Sequence, residues 1–470
     1  MSDPTWVSVL PPVVAIVLAI WTRQVYLSLF GGLVLGYMIL AGWNPVTGLG
    51  GAIQGTVDVF KDGGNTSVIM FTLVIGALIA TIESSGGVRG FVAWLDRTNK
   101  VSTSRGAQFL VYIAAPAVFI ESNINVLVRG AVGRPLCDRY KCSREKLAFI
   151  LDSTSAPMCV LLPMNAWGAY VLSILAGLGV EAPLTVFLEG VVLDFYAIIM
   201  ILLVGFVILR GWDIGPMKAA EERTRGGLLL WPNATPLIDQ EMLSPQITDK
   251  IPPRAWNMVA PLAVMVLFMP LGLWVTGDGK IMSGSGTTSV LWAVMAGLAA
   301  AWLMLLAQKA YTVDELTKIA LKGAGGLVPL ALIMLLAIAL GAMTRELGTG
   351  VYVASVTAGV LPPFLFLPLI FIVASVIAFA TGTSWGTFAI MLPIAVPAAI
   401  AMDLPLAPFV AAVLSGGVFG DHCSPISDTT ILASMAAATD HIDHVRTQLP
   451  YALIAAGIST VLFAVTGAFL

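Results

Sequence analysis

The stretch "GDHCSPISDTT" (420–430) decides how this chain is read. Before it runs "APFVAAVLSGGVF" (407–419) and after it "ILASMAAA" (431–438), both apolar enough for a buried or lipid-facing helix. Between them stand Asp421, His422, Ser424, Pro425, Ser427, Asp428 and Thr429. Proline removes a helical hydrogen bond and clashes with the preceding turn. Each carboxylate at membrane depth costs about 2.5–3.5 kcal/mol on insertion scales. Non-helical backbone at that depth is tolerated only where it is buried in protein or lines a cavity. The stretch therefore predicts a helix broken on purpose, with its polar break facing a ligand.

The surrounding chain supports a membrane setting. Of 470 residues, 58% are hydrophobic and 11% charged, with a mean hydropathy of +0.92. Soluble domains carry about 25% charged residues. Ten full spans are predicted at about 5–21, 25–41, 66–83, 147–172, 184–210, 255–275, 287–307, 325–343, 406–438 and 449–469. Each is long enough for roughly 30 Å of hydrocarbon. Two more apolar segments, 107–135 and 362–400, are interrupted near their middles. The fold class expected is an all-α polytopic membrane protein. The opening "MSDPTWVSVLPPVVAIVLAIW" has no basic n-region or small-residue cleavage site, and reads as a retained first span.

Several function classes fall away. The net charge of −3 argues against a nucleic-acid partner. No GxxxxGK[ST] loop is present, which disfavours an ATP-driven pump, and HExxH is absent; no enzymatic activity is expected. Cys137 and Cys142 read as ordinary thiols of a basic loop, and Cys159 and Cys423 as small apolar fillers. His441-Ile-Asp-His444 reads as a short solvated loop.

The two halves match. "DGGNTSVIMFTLVIGALIATIESSGGV" (62–88) aligns with "AGGLVPLALIMLLAIALGAMTRELGTGV" (324–351), placing Glu83 on Glu346 and Gly87 on Gly350. "FIESNIN" (119–125) falls on "FATGTSW" (379–385), and "STSAPMCVLLPMNAW" (153–167) on "SGGVFGDHCSPISDT" (415–429). The offset stays between 260 and 263 throughout. The basic segments 134–146, 84–106 and 308–324 are expected to be cytoplasmic. That orientation closes only if 107–135 and 362–400 are re-entrant hairpins entering from opposite sides. The expected plan is a first repeat (1–210), a cytoplasmic linker (211–254) and a second, inverted repeat (255–470). Each repeat holds one hairpin and one broken helix (147–172 and 406–438). Inverted repeats with sites at broken helices are the mark of secondary transporters.

Four polar breaks supply the candidate site. They hold the carboxylates Glu121, Asp152, Asp421 and Asp428, and the amides Asn123, Asn125 and Asn165. The hydroxyls are Ser122, Ser153, Thr154, Thr381, Thr383, Ser384, Ser424, Ser427 and Thr429, with Trp385 beside them. Unwound carbonyls, hydroxyls and a carboxylate suit a dehydrated monovalent cation. Sodium is expected at Asp421, Asp428, Thr383 and Ser384, and titrating protons on Asp421, Asp428 and Glu121. Glu189 and Asp194 read as structural, and His422 as a pH-sensitive or a packed histidine.

At "TGTSWGTFAIMLPIA" (381–395), "FGDHCSPISDTTILAS" (419–434) and "RPLCDRYKCSREKLAFILDSTSAPMCV" (134–160) the chain resembles the NhaC-type sodium/proton antiporter family. The resemblance covers nearly the whole length. It implies a carrier of the bacterial or archaeal cytoplasmic (inner) membrane, surrounded by lipid. It also implies an elevator-like motion, often in a homodimer, with Na+ as transported or coupling ion and no other cofactor. It carries site roles to Thr383, Ser384, Asp421, Ser424, Ser427, Asp428 and Asp152. Two departures lie in the first half. The tip reads Glu121-Ser122-Asn123-Ile124-Asn125, without the acidic pair and aromatics common in the family, and Asn165-Ala166-Trp167 stands where Ser-Ser-Trp is common. They keep open a sodium- or proton-coupled carrier of a small organic solute: an amino acid, a carboxylate or an organic cation.

Overall fold

The computed structural model describes residues 5–22, 24–98, 103–118, 122–162, 165–236, 252–280, 284–357 and 363–470. These residues form helices joined by short turns. Nine helical segments among them are long and apolar enough to cross a membrane, from Gly63–Ser84 to His441–Ala468. Shorter apolar helices include Val25–Leu40 and Trp167–Gly177. Most predicted spans fall within a few residues of an observed helix, because an unbroken run of apolar side chains leaves the backbone no partner but itself.

Four expectations change. The span 184–210 is two helices, Pro183–Val192 and Phe195–Arg210, separated at Leu193 and Asp194. Asp194 is fully buried, caps the second helix through Ala197 N–H, and accepts a 2.6 Å hydrogen bond from Ser415 Oγ. The last helix begins at His441, not 449, so the expected histidine loop is its first turn. Asp440 caps it, accepting from the backbone of Ile442 and Asp443. The basic segment 134–146 is mostly helix end and helix start, with a turn only between Ser122–Arg139 and Arg144–Ser153. Cys137 and Cys142 there are fully buried.

The polar stretch after Arg210 is anchored to that basic segment. Its helix Gly215–Arg225 presents Arg223 to Glu145 in a buried two-pronged ion pair of 2.7 and 2.8 Å. Glu221 accepts from both N–H and Oγ of Ser143, and Lys146 pairs with Asp213. Paired in this way, buried charges hold two segments in one register.

The elements that position the site come in two sets. The first hairpin comprises Ser104–Ile113 and Ser122–Arg139, and the first broken span Arg144–Ser153, Ala156–Leu161 and Ala166–Gly177. The second hairpin comprises Pro363–Thr381 and Ser384–Ala401, and the second broken span Leu406–Cys423 and Asp428–Ala437. The helix starts Ser122 and Ser384 are 262 residues apart, as are Ala166 and Asp428. The first span has an additional break at Ser153–Ala156, whereas Leu406–Cys423 runs unbroken through Ser415 and Gly416.

Gly382 shows how the second hairpin meets the second break. Its φ is +67°, a left-handed value that glycine adopts at no steric cost. A Cβ there would lie 2.8 Å from the Ile426 carbonyl oxygen, so the tip rests directly on the backbone of the break. Gly382→Ala is therefore expected to cost about 1–2 kcal/mol from backbone strain alone, lowering the thermal midpoint of the purified protein and separating tip from break.

Candidate ion site

Asp421 is the centre of the second-half site. It sits in the last turn of Leu406–Cys423 and is 2% exposed. Ser384 Oγ, in the first turn behind the hairpin tip, donates a 2.8 Å hydrogen bond to its Oδ2. Oδ1 has no partner at full hydrogen-bond geometry among the described residues, and Ser427 stands beside the same carboxylate. Ser424 Oγ donates to the Phe379 carbonyl, tying break to hairpin a second time. The two helix ends flanking this break have opposite polarities. The final carbonyls of Leu406–Cys423 meet the first amides of Asp428–Ala437 across residues 424–427, and the helix ends carry partial charges of opposite sign.

The other expected residues divide by role. Thr383 caps Ser384–Ala401, its Oγ1 accepting from Gly386 N–H. Thr381 bonds back to Ile377 within its own helix. Ser427 and Thr429 share a 3.0 Å hydroxyl contact. Asp428 opens the helix Asp428–Ala437 and is exposed. It lies within electrostatic reach of Asp421. Trp385 packs its ring against Trp167 and Tyr170, at 4.8 and 5.0 Å between centroids. Its carbonyl accepts from Tyr170 OH. The two tryptophans thus meet across the halves, forming part of one aromatic cluster.

Asp152 joins the same group from the first half. It is fully buried near the end of Arg144–Ser153 and lies within electrostatic reach of both Asp421 and Asp428. Gln448 holds it: its Nε2 donates to Asp152 Oδ2 (2.7 Å) and to the His422 carbonyl (2.6 Å). His422 is packed and hydrogen-bonded, Nε2 to Ser153 Oγ at 2.9 Å and Nδ1 to Tyr196 OH at 2.7 Å. The first break is therefore laced to the second through one imidazole. The remaining first-half residues brace the backbone. Asn125 Nδ2 donates to the Ala115 carbonyl, and Asn165 caps Ala166–Gly177 while donating to the Cys159 carbonyl. Ser122 is buried. Glu121 and the side chain of Asn123 lie outside the described residues.

Three groups in this region were not singled out in the sequence. Arg129 is 1% exposed and donates to the carbonyls of Asn125, Val111 and Leu151 and to Thr154 Oγ1. Its guanidinium fastens the first hairpin to the first break. His444, expected in a loop, is fully buried, 3.9 Å from Asp152 Oδ2, with Nε2 on Gln448 Oε1. Gln448 itself is 1% exposed. For His444 and Gln448 the signal was their spacing with His441: residues three and four apart share a helix face. Among the described residues no cluster of three or more His, Cys, Asp and Glu is arranged to hold a metal ion.

A multi-helix membrane fold with carboxylates gathered at helix breaks defines a membrane transporter. The chain belongs to the Na+/H+ antiporter family, whose model matches residues 158–468. An uncharacterised protein of Haemophilus influenzae is 35% identical over 99% of this chain and 91% of its own length. Shorter matches are the malate-2H(+)/Na(+)-lactate antiporter of Bacillus subtilis, 42% identical over 22% of each chain, and the arginine/ornithine antiporter ArcD of Halobacterium salinarum, 31% identical over 46% of this chain and 42% of that one. The fold is similar to that of MtrF from Neisseria gonorrhoeae, with TM-score 0.51 and 15% identity over 89% of this chain and 84% of that one. It is equally similar to YdaH from Alcanivorax borkumensis, with TM-score 0.51 and 14% identity over 89% of this chain and 88% of that one.

Proposed function

We propose that this protein exchanges Na+ for H+ across the cytoplasmic membrane of a bacterium or archaeon. The observation that carries the reading is Asp421: a buried carboxylate oriented by Ser384 at the hairpin tip, at a helix break and near two further carboxylates. Sodium bound there takes Asp421, Asp428, Thr383 and Ser384 as its neighbours. A proton and a sodium ion compete for the same carboxylates, so one site carries either ion and transport becomes pH-dependent by mass action. In proteoliposomes an imposed sodium gradient should drive a pH change in the lumen. No pH change between about pH 6 and pH 9, a window that spans neutrality, would end this reading.

The inverted duplication and an alternating, elevator-like motion belong to the same proposal. The common offset of 262 residues between helix starts supports the duplication. So does a contact between Thr72 Oγ1 and Met334 Sδ at 3.0 Å, which are 262 residues apart. Equivalent residues touch in this way where a two-fold axis passes between repeats. The GxxxG pair Gly32 and Gly36 is used inside the chain, Gly32 facing Pro11 and Ala15 and Gly36 facing Met343.

A second reading, coupled transport of a small organic solute, is supported by relatives named for malate, lactate, arginine and ornithine. Trp385, half-buried beside Ser384 and backed by the fully buried rings of Trp167 and Tyr170, gives such a solute a ring to stack on. A thermal-shift panel of amino acids, carboxylates and organic cations separates the two readings. A solute that stabilises the protein beyond sodium alone favours the second; stabilisation by sodium alone favours the first.

A further inference from the structure

The chain has three histidines: His422 bonds to Ser153 beside Asp152, His444 lies 3.9 Å from Asp152 Oδ2, and His441 shares a hydroxyl with His444. Two of them, His441 and His444, face one hydroxyl. Ser434 Oγ is 3.0 Å from His441 Nδ1 and 2.9 Å from His444 Nδ1. The partners on the far side of each ring decide where its hydrogens are. Gln448 spends both Nε2 hydrogens on Asp152 Oδ2 and the His422 carbonyl, so its Oε1 is what faces His444 Nε2 at 2.9 Å. His444 Nε2 must therefore carry a hydrogen. His441 Nε2 faces the Pro425 carbonyl at 2.7 Å, an acceptor only, so it carries one too.

Two neutral rings would then present two bare Nδ1 atoms to a hydroxyl that has a single hydrogen. One Nδ1 would be satisfied, and the other would meet an oxygen lone pair. Adding one proton removes the conflict. One ring donates to Ser434, Ser434 donates to the other ring, and the mirror arrangement is equally open. If Ser434 instead turns to the Thr430 carbonyl, 2.9 Å away, both rings must donate and two protons are needed. Every fully bonded arrangement holds at least one proton beyond the neutral pair.

The charge has a counter-ion. Asp152 Oδ2 is 3.9 Å from His444 Nε2, so a carboxylate and one shared proton make the buried network neutral overall, which is the form burial tolerates. Other charged groups stand further out or are already paired. Leu406–Cys423 brings His422, which feels His444, and Asp421, which feels Asp152. Asp428, which begins the helix carrying Ser434, lies within reach of Asp152. Asp440 and Asp443 flank the pair on its own helix, and Asp443 feels Glu145, Arg446 and Arg223. Arg144 binds Asp138 and the Ala438 carbonyl. Pro363–Thr381 brings no charge, and Phe195–Arg210 brings Arg210 alone. His441 is half-buried, at the end of the molecule that carries the basic segment, and is the ring that meets water.

We propose that His441, Ser434 and His444 form a binding site for one proton, shared across the hydroxyl and set beside Asp152, through which protons from the basic end of the molecule weaken cation binding at the carboxylates. The proton site stands on the hydrogen-bond inventory alone; the effect on cations rests on the transport function proposed above.

Because only three imidazoles are present, the full-length protein in nanodiscs with 15N-histidine gives three ring systems, assignable through His422→Gln, His441→Gln and His444→Gln. Between about pH 5 and pH 9, His441 and His444 should lose one proton in a single joint step, and added sodium should move that step to lower pH. Ser434→Ala should uncouple the two rings, shifting His444 by about one pH unit, while Ser434→Thr, which keeps the hydroxyl, should preserve the joint step. Rings that stay neutral across the range, or a titration indifferent to Ser434→Ala, would overturn the proposal. Failure of the sodium-driven pH change with an intact joint titration would instead count against the transport reading and leave the proton site standing.

Discussion

Asp421→Asn should abolish sodium-driven proton movement while leaving the protein folded. The substitution keeps the shape and still accepts from Ser384 Oγ, so the hairpin tip stays on the break. It removes the charge that offsets the dehydration of a cation and the group that would carry the proton. A hydrogen bond or contact to a charged group contributes about 1.5–3 kcal/mol, so sodium affinity should fall at least about tenfold. The proton leg should vanish altogether, because an amide does not titrate. Sodium-dependent thermal stabilisation in detergent reads the first effect and proteoliposome fluorescence the second. Retained exchange in Asp421→Asn would move the coupling site elsewhere, with Asp152 and Asp428 the next groups to replace.

Arg129→Met should have the largest effect on stability. The guanidinium donates to three carbonyls and one hydroxyl, all deep in the protein. A methionine fills much of the volume and satisfies none of them. Each buried acceptor left unpaired costs about 1–3 kcal/mol, so a loss of several kcal/mol is expected, seen as aggregation or a thermal midpoint lowered by many degrees. Arg129→Lys should recover part of it, since one ammonium reaches fewer of the four acceptors. If Arg129→Met unfolds at the same temperature as the parent, the guanidinium is not the clamp between hairpin and break.

Much of the site was legible because it contradicts its surroundings. Pro425 and two aspartates inside an apolar run had to mark a break, and Asp421 met Ser384 across the hairpin tip as that reasoning requires. Asn165 and Ser427 both turned out to occupy the residue before a new helix. Polarity misled where it was taken as a sign of solvent. His441, Asp443 and His444 read as a loop, yet helical spacing puts His441, His444 and the unremarked Gln448 on one face, where the two histidines meet Ser434 and Gln448 reaches Asp152. Asp194 was read as structural inside an unbroken span. It is structural, but as the cap of a second helix held by Ser415, 221 residues away, and no local pattern shows so distant a partner. Arg129 escaped for the same reason: its acceptors are backbone carbonyls, which every residue has.

The two-sided lacing of Asp152 also changes the balance between the halves. From sequence, sodium was expected on second-half residues alone: Asp421, Asp428, Thr383 and Ser384. In the structure Asp152 lies in the electrostatic field of Asp421 and Asp428 and is tied to the second broken span through Gln448 and the His422 carbonyl. Both halves therefore contribute carboxylates to one cluster, which is what an exchanger of cations and protons needs at the place where its halves meet.

The central claim is most directly tested by uptake of radioactive sodium into acid-loaded proteoliposomes, with no organic solute present on either side. Uptake driven by the outward proton gradient, collapsing when that gradient is dissipated and absent in Asp421→Asn, is the expected result. Sodium uptake that appears only when an amino acid, carboxylate or organic cation is supplied would contradict it.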